Sequence, residues 1–122
     1  AAADLVVIGS PTHGFNPVPS VAQLLHGLSA AAIAGRAFAV FDTRIDLADI
    51  PSRPLRWAAK VGGYAAPHMA TWLRSHGARL LAEPEGFLVA GREGPFKEGE
   101  LVRARAWGRA LAEAATQTPV AA

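Results

Sequence analysis

DLVVIGSPTHGFN, residues Asp4 to Asn16, decides the fold class. Leu5-Val6-Val7-Ile8 is a continuous apolar run, β-branched at three of its four positions. Such a run suits a strand buried on both faces, the usual state of a strand in a parallel sheet. It stops at Gly9. Ser10-Pro11-Thr12-His13-Gly14 follows, small, polar and turn-forming, and is expected as a loop. Ligands of open α/β sheets bind just outside the carboxyl ends of the strands. The junction of run and loop is therefore the first place to expect chemistry.

The rest of the chain reads as more layers of the same sheet. Ser20-Val21-Ala22-Gln23 matches a capping box, with Leu24, Leu25 and Leu28 on one helical face and Gly35 as a stop. Gly27 weakens that helix from inside. Ala37 to Phe41 (AFAVF) is the second strand and ends at Asp42-Thr43-Arg44. Pro51 and Pro54 break the following stretch, in which Arg56 to Lys60 forms a short helix. Tyr64 to His76 is a helix whose regular part starts near Ala66, because Pro67 is tolerated only in a first turn. Met69, Trp72 and Leu73 make its apolar face and Gly77 ends it. Arg79 to Ala82 is a short strand or a lead-in. Phe87 to Ala90 is the third strand, followed by the loop Gly91 to Pro95. Glu98 to Ala115 is the strongest helix, with Leu101, Ala104, Trp107, Gly108 and Leu111 along one face; Glu98 and Glu100 sit at the end where the dipole favours anions. Residues 116–122 are expected as a disordered tail. Strands alternating with helices predict parallel pairing and right-handed crossovers.

Composition narrows the function. Of 122 residues, 51% are hydrophobic and 18% charged, which excludes a disordered chain and fits one domain. Without cysteine there is no disulfide frame, thiolate nucleophile or Fe–S cluster. Ten of the twelve basic residues are arginine, but the net charge of +2 is spread along the chain, so no nucleic-acid partner is expected. No apolar run approaches the roughly 18 residues of a membrane span, so no membrane partner is expected either. Ala1-Ala2-Ala3-Asp4 lacks the basic start of a signal peptide, and a cytoplasmic location is the expectation. Residue 1 is alanine and the only methionine is Met69, so the chain is expected to begin downstream of its translation start.

Three segments carry a likeness together: DLVVIGSPTHG (4–14), FAVFDTR (38–44) and FLVAGREGPFKEGELVRAR (87–105). With them, residues 3 to 115 resemble the C-terminal two-thirds of a flavodoxin-like protein. The resemblance implies a flavodoxin-like α/β three-layer sandwich with a parallel sheet, of which the third, fourth and fifth strands are present. It implies FMN as cofactor. It implies electron transfer to a redox partner protein or a small-molecule acceptor. Ser10 to Gly14 with Phe15 would press on the flavin. Asp42, Thr43 and Arg44 would flank its polar edge, where Arg44 would stabilise an anionic reduced ring. The family's first strand and its Ser/Thr/Gly/Asn-rich phosphate-binding loop have no counterpart in these residues.

Other readings of the same residues are weaker. Asp42 could instead cap a turn and pair with Arg44 on the surface. Ser10, His13 and Asp42 could be read as a hydrolase triad, but the local sequence is not the G-x-S-x-G elbow. His68 and His76 share a helix side without a third metal ligand. Arg103, Arg105 and Arg109 alternate with Glu100 and Glu113 as a solvated face. Trp57, Trp72 and Trp107 read as core or partly buried residues. No catalytic residue and no metal site are assigned. The apolar strand at Leu5 to Ile8 has no preceding strand to cover one side. An upstream segment or a homodimer through this edge is expected to cover it. That edge also supports an alternative function, a flavin-free interaction or dimerisation module.

Overall fold

The computed structural model describes residues 5–13, 15–91 and 94–117. Its centre is a pair of nine-residue strands, β1 (Leu5–His13) and β3 (Ala37–Ile45), running parallel from Leu5↔Ala37 to Pro11↔Thr43. Both apolar runs are strands, as the sequence predicts, but both continue further. Ser10 to His13 belongs to β1 and Asp42 to Arg44 to β3, where loops are expected. The reason is pairing, which local composition does not show. β3 gains a second partner, β5 (Glu85–Val89), over Phe41 to Ile45. β1 ends in a tight hairpin with β2 (Asn16–Pro17) through Thr12 and His13. The turn between them places Phe15 at φ 72°.

On the far side of β3 the outer strand is split. β4 (Arg79–Leu80) pairs with Ala37 and Phe38, and β5 pairs with Phe41 onward. Ala37 faces Arg79, forty-two positions on, whereas Phe41 faces Glu85, forty-four on. The outer strand therefore carries two extra residues between its halves.

One face of the sheet carries α1 (Pro19–His26), α2 (Ala30–Ile33) and α4 (Ala65–Ser75). Ile8, Phe38 and Val40 from the strands meet Leu25, Ile33, Met69 and Leu73 from these helices in one buried core. The other face carries α5 (Glu100–Gln117), which seats Trp107 against Phe41 and Phe87 in edge-to-face contacts. Gly9 is where Phe41 crosses β1: a Cβ there would collide with the ring. α3 (Arg53–Gly62) follows the 3₁₀ turn Leu47–Asp49. The arrangement is mixed α/β with a mostly parallel sheet.

Several helix details differ from expectation. α1 starts at Pro19 with Val18 as N-cap, and no side chain caps it. The fixed φ of proline suits the first helical position, so Ser20 falls inside the turn and the capping box does not form. The helix ends at Gly27, and Ser29 caps the separate α2 by accepting from Ala32 N–H. In α5, Leu101 and Gly108 face outward. Glu100 accepts from Leu88 N–H at 2.8 Å, and that tether turns Arg103, Ala104, Trp107 and Leu111 toward the sheet. Trp57 is 68% exposed, not core. α5 runs to Gln117, two residues into the expected tail, and residues 118–122 lie outside the described part. Among the described residues, no helix is long and apolar enough to cross a membrane.

Candidate functional site

The carboxyl ends of β1, β3 and β5 lie side by side, and a cleft of about 360 Å³ opens between them. Pro11, Thr12 and His13 line it from β1, Thr43, Arg44 and Ile45 from β3, and Val89 from β5. Its size falls within the roughly 300–1,000 Å³ range of small-molecule sites. The place follows from topology, since parallel strands deliver all their carboxyl ends to one rim.

Position along the strands sorts the predicted site residues into two groups, the last residues of β1 and β3 at the rim and those before them beneath it. Pro11, Thr12, His13, Thr43 and Arg44 reach the cleft. Ser10 and Asp42, paired in register, are buried beneath it. Ser10 Oγ donates to Pro11 O at 2.8 Å and accepts from Val18 N–H at 3.0 Å. The hydroxyl thus holds the hairpin closed, and no bond joins it to His13. Asp42 is engaged by Arg44 and Ala66, so Ser10, His13 and Asp42 do not form a hydrogen-bonded triad among the described residues. Phe15 lies over Gly62, where a Cβ would overlap its ring, and so packs away from the cleft. Gly14 lies outside the described residues.

Two site residues also cap α4. Tyr64, its N-cap, supplies no side-chain bond. Thr12 Oγ1 accepts from Ala65 N–H at 3.2 Å and Asp42 Oδ2 from Ala66 N–H at 2.8 Å. A buried carboxylate at the positive end of a helix dipole is favourably placed. The same carboxylate takes Arg44 in a two-pronged pair, Nε to Oδ1 and Nη2 to Oδ2, both 2.6 Å. The expected Asp42–Arg44 surface pair exists, but its Asp42 side chain is wholly inaccessible while Arg44 keeps 19% exposure. The Arg44 guanidinium lies over the Tyr64 ring, Cζ to centroid 3.8 Å. Burial pushes the Tyr64 hydroxyl above its usual pKa.

A cationic clasp stands beside the rim. Lys97 Nζ reaches Asp49 at 2.6 Å and Asp46 at 3.2 Å, joining the segment after β3 to the segment before α5. Its hydrogen bond to Asp49, then that to Asp46, raises the lysine pKa. The Ala48 N–H, then Lys97, lowers that of Asp46. Below β5, Arg103 contacts Glu100, Glu85 and the Gly86 carbonyl and covers the Phe87 ring. Arg103 is thus part of an inter-element network, not of a solvated face. His68 Nε2 pairs with Gly62 O, and His76 stacks on Trp72 at 3.9 Å. Among the described residues, no three potential ligands gather around a metal position.

Sequence reading missed Ile45 and Val89 in the lining, Tyr64 over the Arg44 guanidinium, and Gly86 against it, where a Cβ would collide with Nε, Cζ and Nη2 of Arg44. A signal existed for Ile45 only, because alternation continues through Asp42-Thr43-Arg44-Ile45. Comparison of the chain with protein-family models, curated proteins and solved structures gives no match.

Proposed function

We propose that this cleft holds the ring of FMN and that the protein carries electrons, exchanging them with a redox partner protein or a small-molecule acceptor. The observation that supports this reading is the cleft lining: five residues expected to touch a flavin line one cavity at the rim of a parallel sheet. The donor set suits a flat heterocycle with one polar edge. Pro11, Ile45 and Val89 offer apolar wall, and Thr12, Thr43 and His13 offer hydrogen-bonding groups. Arg44 supplies a cation already balanced by Asp42. When bound, FMN supplies the redox chemistry; the protein's part is orientation and electrostatics. Thr12 accepts from Ala65 N–H and keeps its own hydrogen to donate. Arg44, paired with Asp42, would offer its remaining N–H groups to the polar edge of the ring.

The test is a titration of the folded chain with FMN, followed by quenching of flavin fluorescence. Saturable quenching with a Kd of about 1 μM or tighter is expected, near −8 kcal/mol. A chain folded by circular dichroism that leaves flavin fluorescence unchanged overturns the proposal.

A second reading, an interaction or dimerisation module, draws on the outer edge of β1. Only Thr12 and His13 pair there with β2, so Leu5 to Pro11 have no strand on that side among the described residues. Val7 is 46% exposed. An apolar edge without charged gatekeepers is a template for another strand. This reading expects a stable oligomer in sedimentation, lost on Val7→Lys; a sharp monomer boundary eliminates it.

A further inference from the structure

α3 (Arg53–Gly62) is more amphipathic than α1, α4 or α5, yet little of its apolar surface meets the protein. Of its residues only Ala59 is buried. Leu55 is 54% exposed, Trp57 68% and Val61 66%. An amphipathic helix ordinarily turns its large apolar residues to the core. Here an alanine takes the core side and the large residues stand outside. Trp57 and Val61 are four apart and share one stripe along the helix. Arg53, four before Trp57, and Lys60, three after it, lie alongside that stripe, and both are exposed. Arg56, half-buried, extends the basic side. None of these three cations meets a carboxylate among the described residues. The acidic residues at the preceding 3₁₀ turn, Asp46 and Asp49, are both engaged by Lys97 and leave the charge of the helix uncompensated.

Unpaired cations beside protruding apolar side chains complement a surface that is anionic outside and apolar within. A bilayer with acidic head groups is such a surface: Trp sits at head-group depth, apolar neighbours reach past it, and Lys or Arg lies level with the phosphates. A protein partner fits less well. A specific protein interface takes about 800 Å² from each side and a shaped pocket for its anchor residues. The stripe on α3 is a convex ridge about two turns long, and fluid head groups close around a ridge without a pre-formed pocket. That no helix of the described residues is long enough to cross a membrane does not bear on a helix lying flat on one. We propose that α3 is a membrane-surface contact: Trp57 and Val61 enter the head-group layer of an anionic phospholipid bilayer, and Arg53, Arg56 and Lys60 face its phosphates. The contact lies at the cleft end of the molecule. β3 leads into α3 from its carboxyl end, and α3 leads to Tyr64, where α4 begins beside Thr12 and Asp42. The assignment does not depend on the flavin.

The test is co-sedimentation of the intact chain with vesicles of phosphatidylcholine, alone or mixed with phosphatidylglycerol. Half-binding to the mixed vesicles is expected at about 0.1–1 mM lipid, the marginal strength of a single membrane signal. Binding to phosphatidylcholine alone is expected to be at least roughly tenfold weaker, and added salt should weaken the mixed-vesicle binding. Arg53→Gln with Lys60→Gln is expected to weaken it by roughly 25-fold, about fivefold for each charge. Trp57→Ala is expected to weaken it by about tenfold. All three positions are exposed, so these variants should keep the fold, which circular dichroism checks. Vesicles with brominated acyl chains report insertion directly: they should quench part of the tryptophan emission, and Trp57→Phe should abolish that part. Trp72 and Trp107 are held in ring contacts of their own.

Equal binding to both kinds of vesicle overturns the proposal, because the cations then play no part. Binding that Trp57→Ala and the double substitution leave unchanged overturns it as well, since another surface is then responsible. So does the absence of binding at the highest lipid concentration from a folded chain. A Trp57 emission shift with polyglutamate and none with the mixed vesicles overturns it in favour of an acidic protein.

Discussion

Asp42→Ala is expected to lower stability by about 3 kcal/mol, which for a domain of this size lowers Tm by roughly 10–15 °C. The carboxylate is inaccessible and accepts three bonds, two from Arg44 and one from Ala66 N–H. Removing it leaves the Ala66 N–H inside the protein without its acceptor, and leaves a guanidinium between Gly86 and Tyr64 without its counter-charge. Breaking a buried pair at one end costs about 3–5 kcal/mol, because the other charge is stranded. The low end applies here, since Arg44 is partly exposed and can turn toward water. Asp42→Asn restores an acceptor for Ala66 but sets an amide donor against Arg44, so it recovers only part of the loss. Asp42→Ala with Arg44→Ala should cost less than the two single losses together, by about 1–3 kcal/mol of coupling. Urea unfolding of the four proteins measures all of this. A single-mutant loss below about 1 kcal/mol would mean that Asp42 is not the clamp described.

Glu100→Ala is the next largest expected effect, about 1.5–3 kcal/mol at neutral pH. Glu100 joins α5 to the sheet: Oε2 accepts from Leu88 N–H, and both oxygens accept from Arg103. The bond from Arg103 is the main reason that the Glu100 carboxyl lies below its usual pKa, with Leu88 N–H adding to it against the effect of burial. A carboxyl depressed in the folded state contributes stability above its unfolded pKa of about 4.3, and that contribution disappears as pH falls through the folded value. Glu100→Gln keeps the shape and removes the charge. The stability gap between wild type and Glu100→Gln should be full above about pH 5 and shrink steadily below about pH 4. A gap independent of pH from 6 to 2.5, read from thermal melts, contradicts the ionic account of this joint.

What could be read from sequence alone divides along physical lines. The strands at Leu5 and Ala37 were legible because β-branched and aromatic runs of that length have few other fates. α4 was legible to within a residue because Pro67 and Gly77 bracket it and Met69 and Leu73 repeat at helical spacing. The lengths of β1 and β3 were not legible. Ser10 to His13 looks like loop by composition and becomes strand through partners far along the chain, Asp42, Thr43 and Pro17. The cleft residues were found by their position at strand ends. Their split into Ser10 and Asp42 below and Thr12, Thr43 and Arg44 above follows only once register is known. Gly86 shows the limit most plainly: nothing in EGF marks a seat for an arginine forty-two residues earlier. Leu101 was assigned to the inner face by periodicity alone. The Glu100 tether, a single long-range hydrogen bond, sets the rotation of the helix and turns Leu101 out.

The two extra residues in the outer strand bear on which length changes the chain tolerates. A strand inverts its side chains with every residue, so inserting an even number keeps each later residue on its own side. Here the count is two, which leaves Phe87 against Trp107 and Gly86 beneath Arg44. An insertion or deletion of one residue between Leu81 and Pro84 would reverse that side-chain order throughout β5. It would turn Phe87 out of its aromatic cluster and push a side chain into the arginine's seat. Length variation at this joint should therefore come in pairs, and a library of loop variants there should sort by parity before it sorts by composition.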